Sequence, residues 1–171
     1  RENEGDLVLA AEKATPESVS FMTQNARGLL CVSTTRDVLE NLNIALMDRG
    51  LGQSNSETAF TVSVDYAKGT TTGISASDRA ATIRALSRKN ASPKDFTRPG
   101  HTFPLCYQEG GVLSRPGHTE ASVDLGQLAG LNPASAICEI MKSDGSMARM
   151  PDLETFSKEH GINIITIAQL I

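Results

Sequence analysis

The sequence predicts a mixed α and β fold in a single domain. Short apolar runs alternate with stretches of helical spacing along the whole chain. The length, 171 residues, suits one compact core, and no linker divides it. Hydrophobic residues make up 39% and charged residues 21%, a globular composition and not a disordered one.

Residues 7–11 (LVLAA) read as a strand. Thr15 is suited to cap a helix with Pro16 in its first turn. That helix is predicted to run to about Arg27, with Val19, Met22 and Ala26 inward and Gly28 ending it. Residues 29–32 read as a buried strand and 37–42 as a short helix. Residues 48–58 are polar and rich in Gly and Ser, hence a loop. Phe60, Val62 and Val64 alternate in a strand over 60–65, and 69–73 read as a turn. Ser75 and Asp78 resemble a capping box for a helix through Leu86. A strand is expected over 101–107, a helix over 117–128 stopped by Gly130, and a strand over 135–141. A helix over 151–160 ends at Gly161, and 162–167 read as the last strand.

Composition excludes several function classes. The net charge is −4 with no long basic run, so nucleic acid and anionic membrane are poor partners. Five Phe, two Tyr and no Trp leave little for an aromatic stacking platform. Cys31, Cys106 and Cys138 are odd in number and far apart, which suits free thiols in a reducing compartment. No apolar run is long enough to span a bilayer, and the charged opening is no signal peptide. Walker, GxGxxG, GxSxG and HExxH motifs are all missing.

Four features carry chemistry. Arg1-Glu2-Asn3-Glu4-Gly5-Asp6 sets three carboxylates within five residues. Such a cluster can hold a hard cation or move protons, although solvated acidic turns are the commoner outcome. Arg98-Pro99-Gly100-His101-Thr102 recurs as Arg115-Pro116-Gly117-His118-Thr119. Pro fixes one backbone angle and Gly frees the next, so each copy is expected to be a tight turn presenting His and Thr. The second copy runs into a helix, where Arg115, Thr119 and free backbone N–H groups suit a phosphate. Glu139 lies in an apolar strand, where an acid is costly unless paired. It reads equally as a site residue and as a strand-end Glu. The polar stretch 72–79 reads as a helix cap more readily than as a loop over a site. His160 suits a helix C-terminus, and Cys31 suits packing.

Together these segments resemble the 3,4-dihydroxy-2-butanone 4-phosphate synthase family. The matching motifs are RENEGDL, TVSVD at 61–65, TGISASDRAAT at 72–82, DFTRPGH at 95–101, GGVLSRPGHTEASVDL at 110–125 and ICEI at 137–140. They occur in the family's order and cover most of the chain.

The resemblance implies an α+β, three-layer α/β/α sandwich around a mixed twisted sheet, spanning 1–171 as one synthase domain. It implies a further strand upstream of Arg1, and a GTP cyclohydrolase II domain fused in some members. The implied reaction turns ribulose 5-phosphate into 3,4-dihydroxy-2-butanone 4-phosphate and formate, through an enediolate and a skeletal rearrangement, in riboflavin biosynthesis. The implied enzyme is a magnesium-dependent lyase, with manganese as a substitute, and a homodimer whose active sites lie at the interface. Its compartment is cytoplasmic, or plastid in a plant. Glu2 and His118 would be the metal ligands. Arg1, Glu2, Asp6, Arg115, Pro116, Gly117, His118, Thr119 and Glu139 would bind substrate. His101 and Glu139 would be the essential catalytic pair, with Glu4 and Asp6 moving protons. A sugar-phosphate isomerase or aldolase using the same enediol chemistry, and a nucleic-acid-binding module, are the rival readings; net charge opposes the second.

Overall fold

The computed structural model describes residues 3–48 and 58–171. Among these residues six strands form the sheet: β1 (Asp6–Ala10), β2 (Cys31–Thr34), β3 (Ala59–Phe60), β4 (Val64–Tyr66), β5 (Phe96–Cys106) and β6 (Ala134–Glu139). The order is β1-β6-β2-β5-β3, with β4 also paired to β5. β2 and β5 run parallel and every other pair is antiparallel, so the sheet is mixed as the resemblance implied. The helices are α1 (Pro16–Asn25), α2 (Arg36–Asn41), α3 (Ala76–Leu86), α4 (His118–Leu128), α5 (Met150–His160) and α6 (Ile167–Leu170).

Side chains alternate between the two faces of a strand, so register sorts them. One face carries Leu7, Cys138, Ala136 and Val32, all buried beneath α1 and α3 in the main core. On the other face α4 packs over β6, β2 and β1. There the Ser135 hydroxyl donates to the Ser122 carbonyl at 2.9 Å. The result is helices, sheet, helix: three layers around one core.

Local chemistry explains the element ends. Thr15 and Ser18 form a reciprocal capping box at α1. Ser75 caps α3 by accepting from Asp78 N–H at 3.0 Å, but the Asp78 carboxylate does not reach back. It stays buried and accepts from Thr71 N–H, Thr71 O–H and Gly73 N–H, which ties down the preceding loop. Gly161 closes α5 in the left-handed region, as expected.

Five expectations need correction. The first helix stops at Asn25, and Arg27, not Gly28, takes the left-handed conformation. The strand expected over 29–32 is Cys31–Thr34. The strand expected over 60–65 is split into β3 and β4, which pair different parts of the long β5; a register shift also falls inside β4, between Val64 and Asp65. The first RPGHT copy is not a separate turn between elements: it lies within β5, where residues 98–101 loop out between the Thr97–Asp65 and Thr102–Val64 pairs, and Arg98 donates to the carbonyls of Leu42, Pro93 and Phe96. Residues 162–167 do not form a strand. β propensity needs a partner strand, and among the described residues this segment pairs with none; it leads into α6, which packs on α4.

Candidate active site

Register pairs Asp6 with Glu139 on the α4 side of the sheet, and alternation from Phe103 sets His101 on the same face. Val8, Ile137, Cys31 and Phe103 pair in sequence across β1, β6, β2 and β5. Two residues further along the same face stand Asp6 and Glu139, which pair directly, and His101. A polar row therefore lies beside an apolar one. The Glu139 carboxylate accepts from Leu29 N–H at 2.9 Å, so it reaches from β6 to the chain entering β2. Gly28 makes this approach possible: a Cβ there would collide with the Glu139 carbonyl oxygen and sit 2.6 Å from its Oε2.

His101 is held from behind. Its Nδ1 lies 2.7 Å from Asp65 Oδ2, and its backbone N–H donates to Asp65 Oδ1 at 2.9 Å. Asp65 is buried, whereas the His101 side chain is 45% exposed.

Asp6 joins this row to a groove of about 1810 Å³. Glu4, Asp6 and the whole stretch from Arg115 to Thr119 line it; His101 and Glu139 do not. The volume exceeds what a sugar phosphate needs, and residues of the C-terminal segment form part of its wall. His118 opens α4, with its Nδ1 3.5 Å from Asp6 Oδ1. Arg115 is anchored by a 2.6 Å ion pair to Glu120, whose side chain is 1% exposed, and donates to Thr58 Oγ1 at 3.0 Å. The other Glu120 oxygen accepts from Gln108 N–H. Glu4 pairs with Arg149 at 4.0 Å. Arg1 and Glu2 lie outside the described residues.

Sequence reasoning missed Asp65 and Glu120. Each is a buried acid whose partner is fixed by folding, so composition gave no sign of either; a carboxylate beside the repeated motif was the only available hint for Glu120. Cys31 lies in the apolar row, and burial, followed by the nearby Glu139 charge, raises its thiol well above the ordinary range. Burial pushes Cys138 up to about 12. Both stay protonated near neutral pH and serve as packing. Among the described residues no group of three His, Cys, Asp or Glu side chains is gathered tightly enough to hold a metal by itself. No helix among them is long and apolar enough to cross a membrane.

The family model for 3,4-dihydroxy-2-butanone 4-phosphate synthase matches residues 1–171. A protein of that name from Agrobacterium fabrum is 53% identical over 171 residues, covering 100% of this chain and 80% of that protein. A chloroplastic monofunctional riboflavin biosynthesis protein from Arabidopsis thaliana is 56% identical over 172 residues, but the match covers only 36% of it. The chain thus spans about a third of the length of that relative. A crystal structure of a 3,4-dihydroxy-2-butanone 4-phosphate synthase in complex with two magnesium ions superimposes with a TM-score of 0.93 at 40% identity, covering 100% of this chain and 84% of that one. A two-domain synthase from A. baumannii gives a TM-score of 0.94 at 50% identity, covering 99% of this chain and 50% of that one. With fold, motif order and full-length match in agreement, the chain belongs to the 3,4-dihydroxy-2-butanone 4-phosphate synthase family.

Proposed function

We propose that this chain converts D-ribulose 5-phosphate to L-3,4-dihydroxy-2-butanone 4-phosphate and formate. The observation that carries the reading is the sheet face shared by Asp6, Glu139 and His101, whose Asp6 end meets the α4 N-terminus with His118 and Arg115. Arg115, Thr119 and the first N–H groups of α4 take the phosphate, with Pro116 and Gly117 shaping the turn. His101 removes a proton beside the substrate carbonyl. Glu139, Asp6 and Glu4 then carry protons for loss of water and its return. Arg1 and Glu2 complete substrate binding. The carbon lost leaves as formate, so atoms balance without an external oxidant.

The donor set suits a divalent cation, with Glu2 and His118 as ligands and magnesium the proposed ion. The Asp6 carboxylate behind His118 Nδ1 fits the usual support of a metal-binding imidazole, leaving Nε2 for the ion. Magnesium prefers oxygen ligands, which makes manganese a reasonable substitute. When bound, the cation supplies electrophilic polarisation of adjacent substrate oxygens. The relative crystallised with two magnesium ions supports this choice.

We further propose a homodimer. Val8 is 43% exposed and Leu29 46%, beside the partly buried Phe103 on the same sheet face. A second copy laid there would cover them next to the polar row.

The test is turnover of ribulose 5-phosphate followed by carbon NMR, with magnesium and with chelator. Formate and the four-carbon phosphate should appear together, only with metal. His101→Ala and Glu139→Ala should each lower kcat by about 1000-fold or more while circular dichroism stays native. An isomerised sugar phosphate without formate would overturn the assignment.

A further inference from the structure

We infer that Asp65 is a positioning residue for the reaction: it fixes the tautomer and orientation of His101 so that Nε2 is the atom that takes the proton. The inference rests on the reading of His101 as the catalytic base. A carboxylate only accepts hydrogen bonds, so the 2.7 Å contact to Asp65 Oδ2 puts the proton on His101 Nδ1. Nε2 is then the basic nitrogen, on a side chain 45% exposed on the face that carries Glu139 and Asp6. The second Asp65 oxygen takes the His101 backbone N–H at 2.9 Å. Ring and backbone are thus gripped by one group, which removes both the flip and the swing of the imidazole.

The surroundings are built around this bond. Asp65 sits where β4 shifts register against β5, which turns its side chain towards His101. Gly73 packs over the pair in the left-handed region, at φ 97°. A Cβ there would collide with Asp65 Oδ2 and lie 2.7 Å from His101 Nδ1. Gly73 is itself fixed by its N–H donation to the buried Asp78 at 3.0 Å. Water is therefore kept from the inner side of the bond, where a charge–dipole contact is stronger than in solvent. As His101 takes a proton from the substrate carbon, the new imidazolium charge forms against the Asp65 carboxylate.

The experiment combines kinetics with nitrogen-15 NMR of the full chain. In the wild type the spectrum should show His101 protonated at Nδ1. An Asp65→Asn side chain keeps the shape but offers an amide N–H as readily as an oxygen, so the tautomer should mix or invert. Its kcat should fall by about 100-fold or more, with KM for ribulose 5-phosphate changed less than about 3-fold, since the pair does not touch the phosphate. In a His101→Ala background the same change should cost nothing further, which a purely structural role would not predict. Losses that add, a near-wild-type kcat for Asp65→Asn beside an inactive His101→Ala, or Nε2 protonation in the wild type would each overturn the inference alone. The wild-type spectrum tests the tautomer by itself, even if the Asn variant does not fold. Full turnover by His101→Ala would remove the base assignment and this inference together.

Discussion

Gly28 matters for the atom it lacks. Its missing Cβ leaves room for the Glu139 backbone and carboxylate, and that room lets the carboxylate reach Leu29 N–H. Gly28→Ala must push β6 away from the chain entering β2. The expected cost is about 1–3 kcal/mol, as for other overpacked sites, with a melting point lower by several degrees. Turnover should fall as well, because Glu139 loses its place; a thermal melt and a formate assay on one sample check both. His101 and Glu139 stood out in the sequence because a repeated motif and an acid in an apolar run are visible without a structure. Asp65 did not. An Asp at the end of a strand is ordinary until folding brings it to a histidine 36 residues away. Glu120 was hidden for a similar reason: a helical Glu normally faces water, and only packing shows it buried against Arg115.

Among the elements, β5 does the most. It is 11 residues long, holds the first RPGHT copy, and pairs with β2, β3 and β4. A 3-10 turn at Pro93–Asp95 starts it, and Asp95 ties that turn to Lys68 at 2.7 Å and to Ser92 N–H at 2.8 Å. The Lys68 hydrogen bond, followed by the Ser92 N–H, lowers the Asp95 carboxyl from 3.8 to about 2. A group whose pKa is depressed by folding stabilises above its unfolded value and loses that contribution as pH falls through its folded one. The contribution should therefore be complete above about pH 4 and fade towards pH 2. Melting points of wild type and Asp95→Asn, compared across that range, should converge as pH drops. A gap that stays constant would refute the assignment. Strand and helix identities were mostly readable from hydrophobic spacing and caps. The errors fell where partners decide: residues 162–167 carry strand-forming side chains but meet no strand among the described residues, and 60–65 divide because β5 engages two parts of them differently.

At the scale of the molecule, one sheet face sets a polar row against an apolar row, and α4 covers only part of it. Exposed Val8 and Leu29 at this boundary are what a second copy would cover. Val8→Glu should shift sedimentation from dimer to monomer, since a buried unpaired charge is strongly disfavoured at an interface core. It should also reduce turnover, although Val8 has no chemistry of its own. A variant that remains dimeric would place the interface elsewhere. The family, the mixed α and β composition, the helix caps and the residue types suited to the proposed chemistry were all legible in the chain before folding is considered. Those depend on local spacing and on motif order, which need no partner to be read. Folding alone sets Asp6, Glu139 and His101 on one sheet face, backs His118 onto Asp6, and pairs Asp65 with His101 and Glu120 with Arg115. Strand register and buried pairing join residues far apart in the chain, so they exist only once the sheet has formed.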